Sequence, residues 1–285
     1  MKEITRCAYA KINLSLRVLR RRADGYHDLR MVMQTLSLHD TLVFRPLENG
    51  RVVLHTESDL PTDGGNLIVR AAERLLSAYA PEMGAEIALT KRIPVAAGLA
   101  GGSADAAAAL LALRDLYTLP VSDEELAAIG LSLGADVPYC LTGGSRLAEG
   151  VGEKLTALPD MPPCAVLLVK PPVSVSTAEV FRAFRGPYTD ADTDWETLLA
   201  RGDLRVIAHT LRNDLEAVTI AMHPVIADIK AAMLACGAAG SLMSGSGPTV
   251  FGLFETEEAA RGAAADLRRK FPGANEVHVC TIHTA

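Results

Sequence analysis

Apolar residues fall along this chain in two kinds of run. Residues 4–19 and 41–56 read as strands; Val43, Val52, Val53 and Leu54 are of the type that suits a pleated, half-buried surface. Leu67, Ala71, Leu75 and Ala78 recur every three or four positions, which puts them on one helical face. That spacing predicts a helix from an Asn66 cap to about Ala80. Residues 85–91 return to strand, 94–102 form a Gly/Ala loop, and 103 to about 117 are helical. Ser122 with Glu125 three positions on is a capping box that opens the next helix.

Pro159, Pro162 and Pro163 interrupt the pattern and predict a boundary between domains 1–158 and 159–285. Beyond them, residues 164–170 are a continuous apolar strand. Ser176 and Glu179 predict a second capping box and a short helix through Phe184. Helices over 223–234 and 256–270, a loop over 241–247, and strands over 249–254 and 276–282 complete the chain. Helices and strands mix in both halves, with antiparallel hairpins near the N-terminus, so the class is α+β in two domains.

Composition narrows the picture further. The 285 residues are 49% hydrophobic and 22% charged, which excludes a disordered chain, a coiled coil and a collagen-like rod. A net charge of −6 argues against nucleic acid as a partner, since that affinity comes from Lys and Arg on phosphates. Five cysteines, none in a C-x-x-C pair, predict neither a disulfide framework nor a zinc site. No apolar run approaches the roughly 18 residues of a membrane span, and Met1-Lys2-Glu3-Ile4 opens no signal peptide. The expectation is a cytoplasmic protein with no membrane partner, a monomer or weak homodimer.

Candidate chemistry lies in five places. Between a strand and a helix stand Pro94, Val95, Ala96, Ala97, Gly98, Leu99, Ala100, Gly101, Gly102, Ser103 and Ala104. Small residues let backbone N–H groups approach a ligand, and the helix start adds unpaired donors; together they suit phosphate, or simply close helix–strand packing. The run is neither a Walker A loop nor a G-x-G-x-x-G fingerprint. Lys11 interrupts a small and apolar stretch, so it either finds an anionic partner or faces solvent. Asp136, between small residues and before Pro138, is a candidate general base or a turn residue. Gly245, Ser246 and Gly247, before a strand, are either a second backbone-lined loop able to face phosphate or a plain strand-entry turn. Asp24-Gly25 makes a turn that presents Tyr26 and His27 side by side, as a base-stacking pair or an exposed loop tip.

The order of these motifs, with Lys11-Ile12-Asn13 and Arg212-Asn213-Asp214-Leu215-Glu216, resembles the GHMP kinase superfamily along nearly the whole chain. Asp24-Gly25-Tyr26-His27 resembles its branch acting on 4-diphosphocytidyl-2-C-methyl-D-erythritol, rather than the mevalonate and homoserine branches. The resemblance implies an N-terminal domain like domain 2 of ribosomal protein S5 and a smaller C-terminal α/β domain. It implies phosphorylation of the substrate's 2-hydroxyl by ATP with Mg²⁺, in the non-mevalonate isoprenoid precursor pathway. An inactive nucleotide-binding protein is the alternative, and retention of Lys11 and Asp136 argues against it. By this resemblance Asp136 takes the hydroxyl proton and Lys11 stabilises the transferred phosphoryl. Residues 94–104 wrap the ATP phosphates, with Asn66 and Lys91 near the nucleotide. Tyr26 and Phe181 sandwich cytosine, His27 reads its polar edge, and Asn13, Thr177 and the 245–247 loop contact the rest of the substrate.

The sequence departs from the family pattern in the phosphate loop, which is usually richer in Gly. Here Ala96, Ala97 and Ala100 carry Cβ atoms, and Ala104-Asp105 replaces a hydroxyl, so a somewhat altered ATP affinity is expected. Asp105 is expected to favour the helix N-terminus or to hold Mg²⁺ through water. No metal ligand is assigned.

Overall fold

A computed structural model of the protein describes residues 3–188, 193–274 and 276–284. They form two compact units, each drawn from separated stretches. The first holds residues 3–10, 38–95 and 100–142; the second holds 11–37, 96–99 and 143–284. Two long strands, β1 (Ile4–Arg21) and β2 (His27–Leu47), each run from one unit into the other. The strand order is β3-β4-β2-β1-β8.

In the first unit, β3 (Val52–Thr56) pairs parallel with β4 (Gly84–Thr90), and β4 pairs antiparallel with β2 from Thr41↔Thr90 to Leu47↔Gly84. Helices α1 (Leu67–Tyr79), α2 (Gly101–Tyr117), α3 (Asp123–Leu133) and α4 (Val137–Thr142) pack with them. The core joins Phe44, Leu54 and Ile87 of the strands to Ile68, Leu75, Leu110 and Leu113 of the helices. In α2, Ala104, Ala106, Ala107, Ala108, Ala109 and Ala112 are all buried. A helix apolar on every side is enclosed, and methyl-sized side chains let α1 and α4 approach it closely.

In the second unit, β2 pairs with β5 (Ser145–Gly150) from Leu29↔Gly150 to Gln34↔Ser145, and β5 pairs with β6 (Lys154–Ala157). The end of β1 pairs parallel with β8 (Arg212–Asn213). A separate antiparallel sheet has the order β11-β7-β10-β9, from β7 (Ala165–Lys170), β9 (Gly240–Met243), β10 (Val250–Phe254) and β11 (Glu276–Thr281). Helices α9 (Val225–Ala235) and α10 (Glu257–Lys270) lie against it. The short helices α5 (Thr177–Ala183), α6 (Trp195–Arg201), α7 (Leu204–Thr210) and α8 (Glu216–Met222) complete the unit. This is the mixed α+β class that the sequence leads one to expect.

Several boundaries differ from expectation, each for a local reason. The strand expected over 41–56 is broken: Asn49 accepts from Arg51 N–H and Gly50 takes φ +65°, which turns the chain before β3. The helix expected from 223 begins at Val225, because His223 ends α8 and Pro224 caps α9. Ser241–Met243, expected in a loop, continue β9, whose partner β10 lies beyond the glycines. The Asn66 cap and the reciprocal Ser122/Glu125 box form as expected, and Ser176 caps α5 by accepting from Glu179 N–H.

Candidate active site

In the first unit, α2 starts on Ala100, whose φ is +57° and which offers no side-chain cap. The first helical bond runs from Ala104 N–H to Ala100 C=O, at 2.9 Å. The N–H groups of Gly101, Gly102 and Ser103 therefore have no partner inside the helix, and they carry the positive end of its dipole. A Cβ on Gly134 would lie 3.8 Å from Ser103 Oγ, so the turn between α3 and α4 adjoins the first turn of α2. That turn carries Asp136, half-buried, whose carbonyl accepts from Cys140 N–H at 3.1 Å. Asn66 spends its side chain on structure: Oδ1 accepts from Ile68 N–H at 2.9 Å, and Nδ2 donates to Pro61 C=O at 2.8 Å.

Lys91 is buried between two carboxylates. Its Nζ donates to Asp105 Oδ2 at 2.7 Å and to Asp40 Oδ2. Asp40 Oδ1 accepts from the N–H groups of Arg92 and Ile93, at 2.5 and 2.8 Å. Asp105 Oδ1 is buried with no hydrogen-bond partner. Burial pushes the Asp105 carboxyl up to about 7, with Lys91 pulling it down and Asp40 pushing it further up. Asp105 lies on the second turn of α2 rather than at the helix start, and it pairs with the Lys91 ammonium. Asp40 was silent in the sequence, because its partners stand more than 50 residues away.

The loop of residues 94–104 passes through both units. Its φ angles are positive at every second residue from 96 to 100: +50° at Ala96, +75° at Gly98 and +57° at Ala100. Two of these positions hold L-residues, which the left-handed region disfavours. Val95, Ala96 and Gly102 are exposed, whereas the side chains of Pro94, Ala97, Leu99 and Ala104 are buried, so these four offer a ligand at most their backbone.

In the second unit, residues 96–99 lock onto the loop after β9. A Cβ on Gly98 would collide with the Ser244 carbonyl oxygen and sit 3.1 Å from that of Gly247. Ser244 Oγ donates to Gly98 C=O at 3.0 Å. Asn213 Nδ2 donates to the carbonyls of Met243 and Gly245, at 2.8 and 2.7 Å. Its Oδ1 accepts from Leu215 N–H. The Arg212–Glu216 motif thus had an assignable part that spacing alone did not reveal: one amide fixes the shape of the 244–247 loop. The hydroxyls of Ser246 and Thr177 lie 2.7 Å apart.

Lys11 is buried on β1. Its backbone N–H donates to Leu99 C=O at 3.1 Å, and its Nζ donates to Asn13 Oδ1 at 2.8 Å. Asn13 Nδ2 faces Met31 Sδ at 3.6 Å. The β1–β2 turn is shaped by Asp24 Oδ1, which accepts from Tyr26 N–H at 3.0 Å. Tyr26 is 67% exposed. His27 turns inward and stacks on Phe181, with centroids 5.2 Å apart and planes 25° apart. Burial, then the nearby Arg21, holds the His27 imidazole below its usual pKa. A neutral ring keeps both a donor and an acceptor nitrogen, which reading a base edge requires.

Residues 66–144 match the GHMP kinases N terminal domain, and residues 195–273 match the GHMP kinases C terminal domain. A 4-diphosphocytidyl-2-C-methyl-D-erythritol kinase of Pelotomaculum thermopropionicum is 50% identical over 93% of this chain and 94% of its own. One from Geobacter metallireducens is 48% identical over 94% and 95%. A crystal structure of 4-(cytidine 5'-diphospho)-2C-methyl-D-erythritol kinase superposes with a TM-score of 0.84 at 39% identity, covering 99% of this chain and all of that one. Homoserine kinase from Cytophaga hutchinsonii shares the fold, with a TM-score of 0.77 at 22% identity over 99% and 96%. The agreement runs from the first strand to the last, and the chain belongs to the 4-diphosphocytidyl-2-C-methyl-D-erythritol kinase family of the GHMP kinases.

Proposed function

We infer that the protein transfers the γ-phosphoryl group of ATP to the 2-hydroxyl of 4-diphosphocytidyl-2-C-methyl-D-erythritol, giving the 2-phosphate and ADP. The observation that carries this reading is the near-full-length match to relatives of that name. The His27–Phe181 stack beside an exposed Tyr26 supports it, because mevalonate and homoserine have no base to receive. Residues 1–158 make the ATP-binding domain in this reading and 159–285 the C-terminal domain.

Phosphoryl transfer asks a protein mainly for positioning and charge neutralisation. The free N–H groups at the start of α2 hold phosphate oxygens. Asp136 accepts the proton of the attacking hydroxyl, and the Lys11 ammonium, oriented by Asn13, stabilises charge on the moving phosphoryl group. Tyr26 supplies a face for cytosine, and His27 with Phe181 supplies a second aromatic surface and a polar edge. Thr177 and Ser246 offer hydroxyls to the remainder of the substrate.

Among the described residues, no group of three or more His, Cys, Asp or Glu is arranged to hold a metal. In this reading ATP brings Mg²⁺, which keeps several waters and is held by one or two protein oxygens plus substrate phosphates. When bound, the ion neutralises phosphate charge. No helix among the described residues is long and apolar enough by itself to cross a membrane. A cytoplasmic enzyme, monomeric or weakly dimeric, with neither nucleic acid nor membrane as partner, completes the reading.

The deciding experiment is ADP release with MgATP and the cytidylyl substrate, with mevalonate, homoserine and galactose in parallel. Turnover of the cytidylyl compound alone is expected. Turnover of another substrate would discard the roles given to Tyr26, His27 and Phe181. Asp136→Asn should lower kcat by about 10³-fold or more while substrate binding stays within a few fold. Unchanged turnover would remove Asp136 from the mechanism.

A further inference from the structure

The family resemblance puts Lys91 near the nucleotide, yet its surroundings suit another task than touching phosphate. Its side chain is 8% exposed, and the carboxylates of Asp40 and Asp105 are 0% and 4% exposed. With both carboxylates ionised, the three groups carry a net charge of −1; with one protonated they carry none. Neither state presents net positive charge to a triphosphate, and two of the three ammonium protons are already committed.

What the three groups do instead is tie together the residues that enter and leave the phosphate loop. Asp40 Oδ1 binds the N–H groups of Arg92 and Ile93, where the chain leaves β4. Asp105 reaches Lys91 from α2, after the loop. Gly101, the first residue of α2, rests on the ammonium: a Cβ there would lie 3.0 Å from Lys91 Nζ and 3.1 Å from Ile93 Cγ2. The unpaired N–H groups of α2 are therefore set in place relative to the end of β4 by one buried ammonium.

We propose that Lys91, Asp40 and Asp105 form a buried clasp that positions the phosphate loop, and that Lys91 acts on ATP through the loop rather than by touching phosphate. The proposal rests on the reading of residues 94–104 as an ATP site. Lys91, Asp40 and Asp105 are positioning residues in it. The charged groups that face Asp105 are Lys91 at the end of β4 and Asp40 on β2. An Asn at 105 can still accept from Lys91, so Asp105→Asn keeps the clasp.

The test is a set of variants read by KM for each substrate and by calorimetric binding of MgATP. Lys91→Met leaves two buried carboxylates without their cation, and should raise KM for ATP about tenfold or more. KM for the cytidylyl substrate should move less than about threefold. Asp105→Leu cuts the tie from α2 and leaves Lys91 paired with Asp40, so no net charge is buried. It should raise KM for ATP by about fivefold or more. If the ammonium itself held phosphate, Asp105→Leu would bind ATP as well as the natural chain or better, and the proposal would fall. Equal loss for both substrates would overturn it as well, since that signals general loosening of the fold. Where Lys91→Met does not fold, Asp105→Leu decides alone against the natural chain. Failure of the natural chain to bind MgATP would sink the ATP reading and the clasp's purpose together. Binding by the natural chain with an unchanged KM in Asp105→Leu would sink only the clasp.

Discussion

The loop of residues 94–104 is held in its two units by opposite means. In the first, Lys91 stands between Asp40 and Asp105, and the anchorage is ionic and buried. In the second, residues 96–99 are held without charge: Gly98 presses against the Ser244 carbonyl, Ser244 Oγ bonds back to Gly98, and Asn213 fixes the loop they meet. The two kinds of anchor fail differently. An ionic anchor tolerates joint replacement better than loss of one partner, and it responds to pH. A steric and amide anchor is indifferent to pH but leaves no room for a Cβ at one position.

Gly98→Ala attacks the neutral anchor where it has least slack. The positive φ and the collision with Ser244 should together cost about 3 kcal/mol, and ATP turnover should fall with stability. Chemical denaturation and the ADP assay check this; an alanine tolerated without loss would mean that the two loops are not locked as described. Asn213→Ala leaves two carbonyls and the Leu215 N–H without partners, and should cost about 2 kcal/mol. Neither loss should depend on pH between about 5 and 8, since no titrating group takes part.

The ionic anchor makes the contrasting prediction. Asp105 has its pKa raised in the folded chain, from an ordinary 3.8 to about 7. The folded state therefore binds the proton more tightly than the unfolded state between those values. Stability contributed by this group is complete below the lower value and is lost as pH rises towards the upper one. The slope is at most about 1.4 kcal/mol per pH unit. Asp105→Asn should flatten that slope and make the protein relatively more stable at pH 8; an unchanged slope would detach the pH response from the clasp. The smallest effect belongs to the alanines. Ala96→Gly or Ala100→Gly relieves a left-handed L-residue, and each should raise stability by about 1 kcal/mol, read as a higher Tm.

Much of the architecture was legible along the chain wherever a local rule governs it. The Asn66 cap, the Ser122/Glu125 box and the apolar strand before Lys170 depend on neighbours within a few residues, and they formed as the pattern predicts. The long β2 was only partly seen, because its pairing with β4 and β5 comes from residues 37 to 121 positions on. Ser241–Met243 read as loop for the same reason: the four residues Gly240–Met243 become a strand only when β10 supplies the ladder.

The sequence by itself singled out residues whose chemistry a kinase can use as candidates: Lys11, Asp136, the small-residue run 94–104 and the Tyr26-His27 pair. Side-chain chemistry and backbone permissiveness are properties of the residue. Tertiary structure alone decided what each is free to do. It closed Asn66 into a helix cap, turned His27 onto Phe181, and placed Asp40 against a lysine 51 residues away. The physical reason is that a buried charge or amide must find partners wherever the fold brings them, and those partners stand far off in the chain.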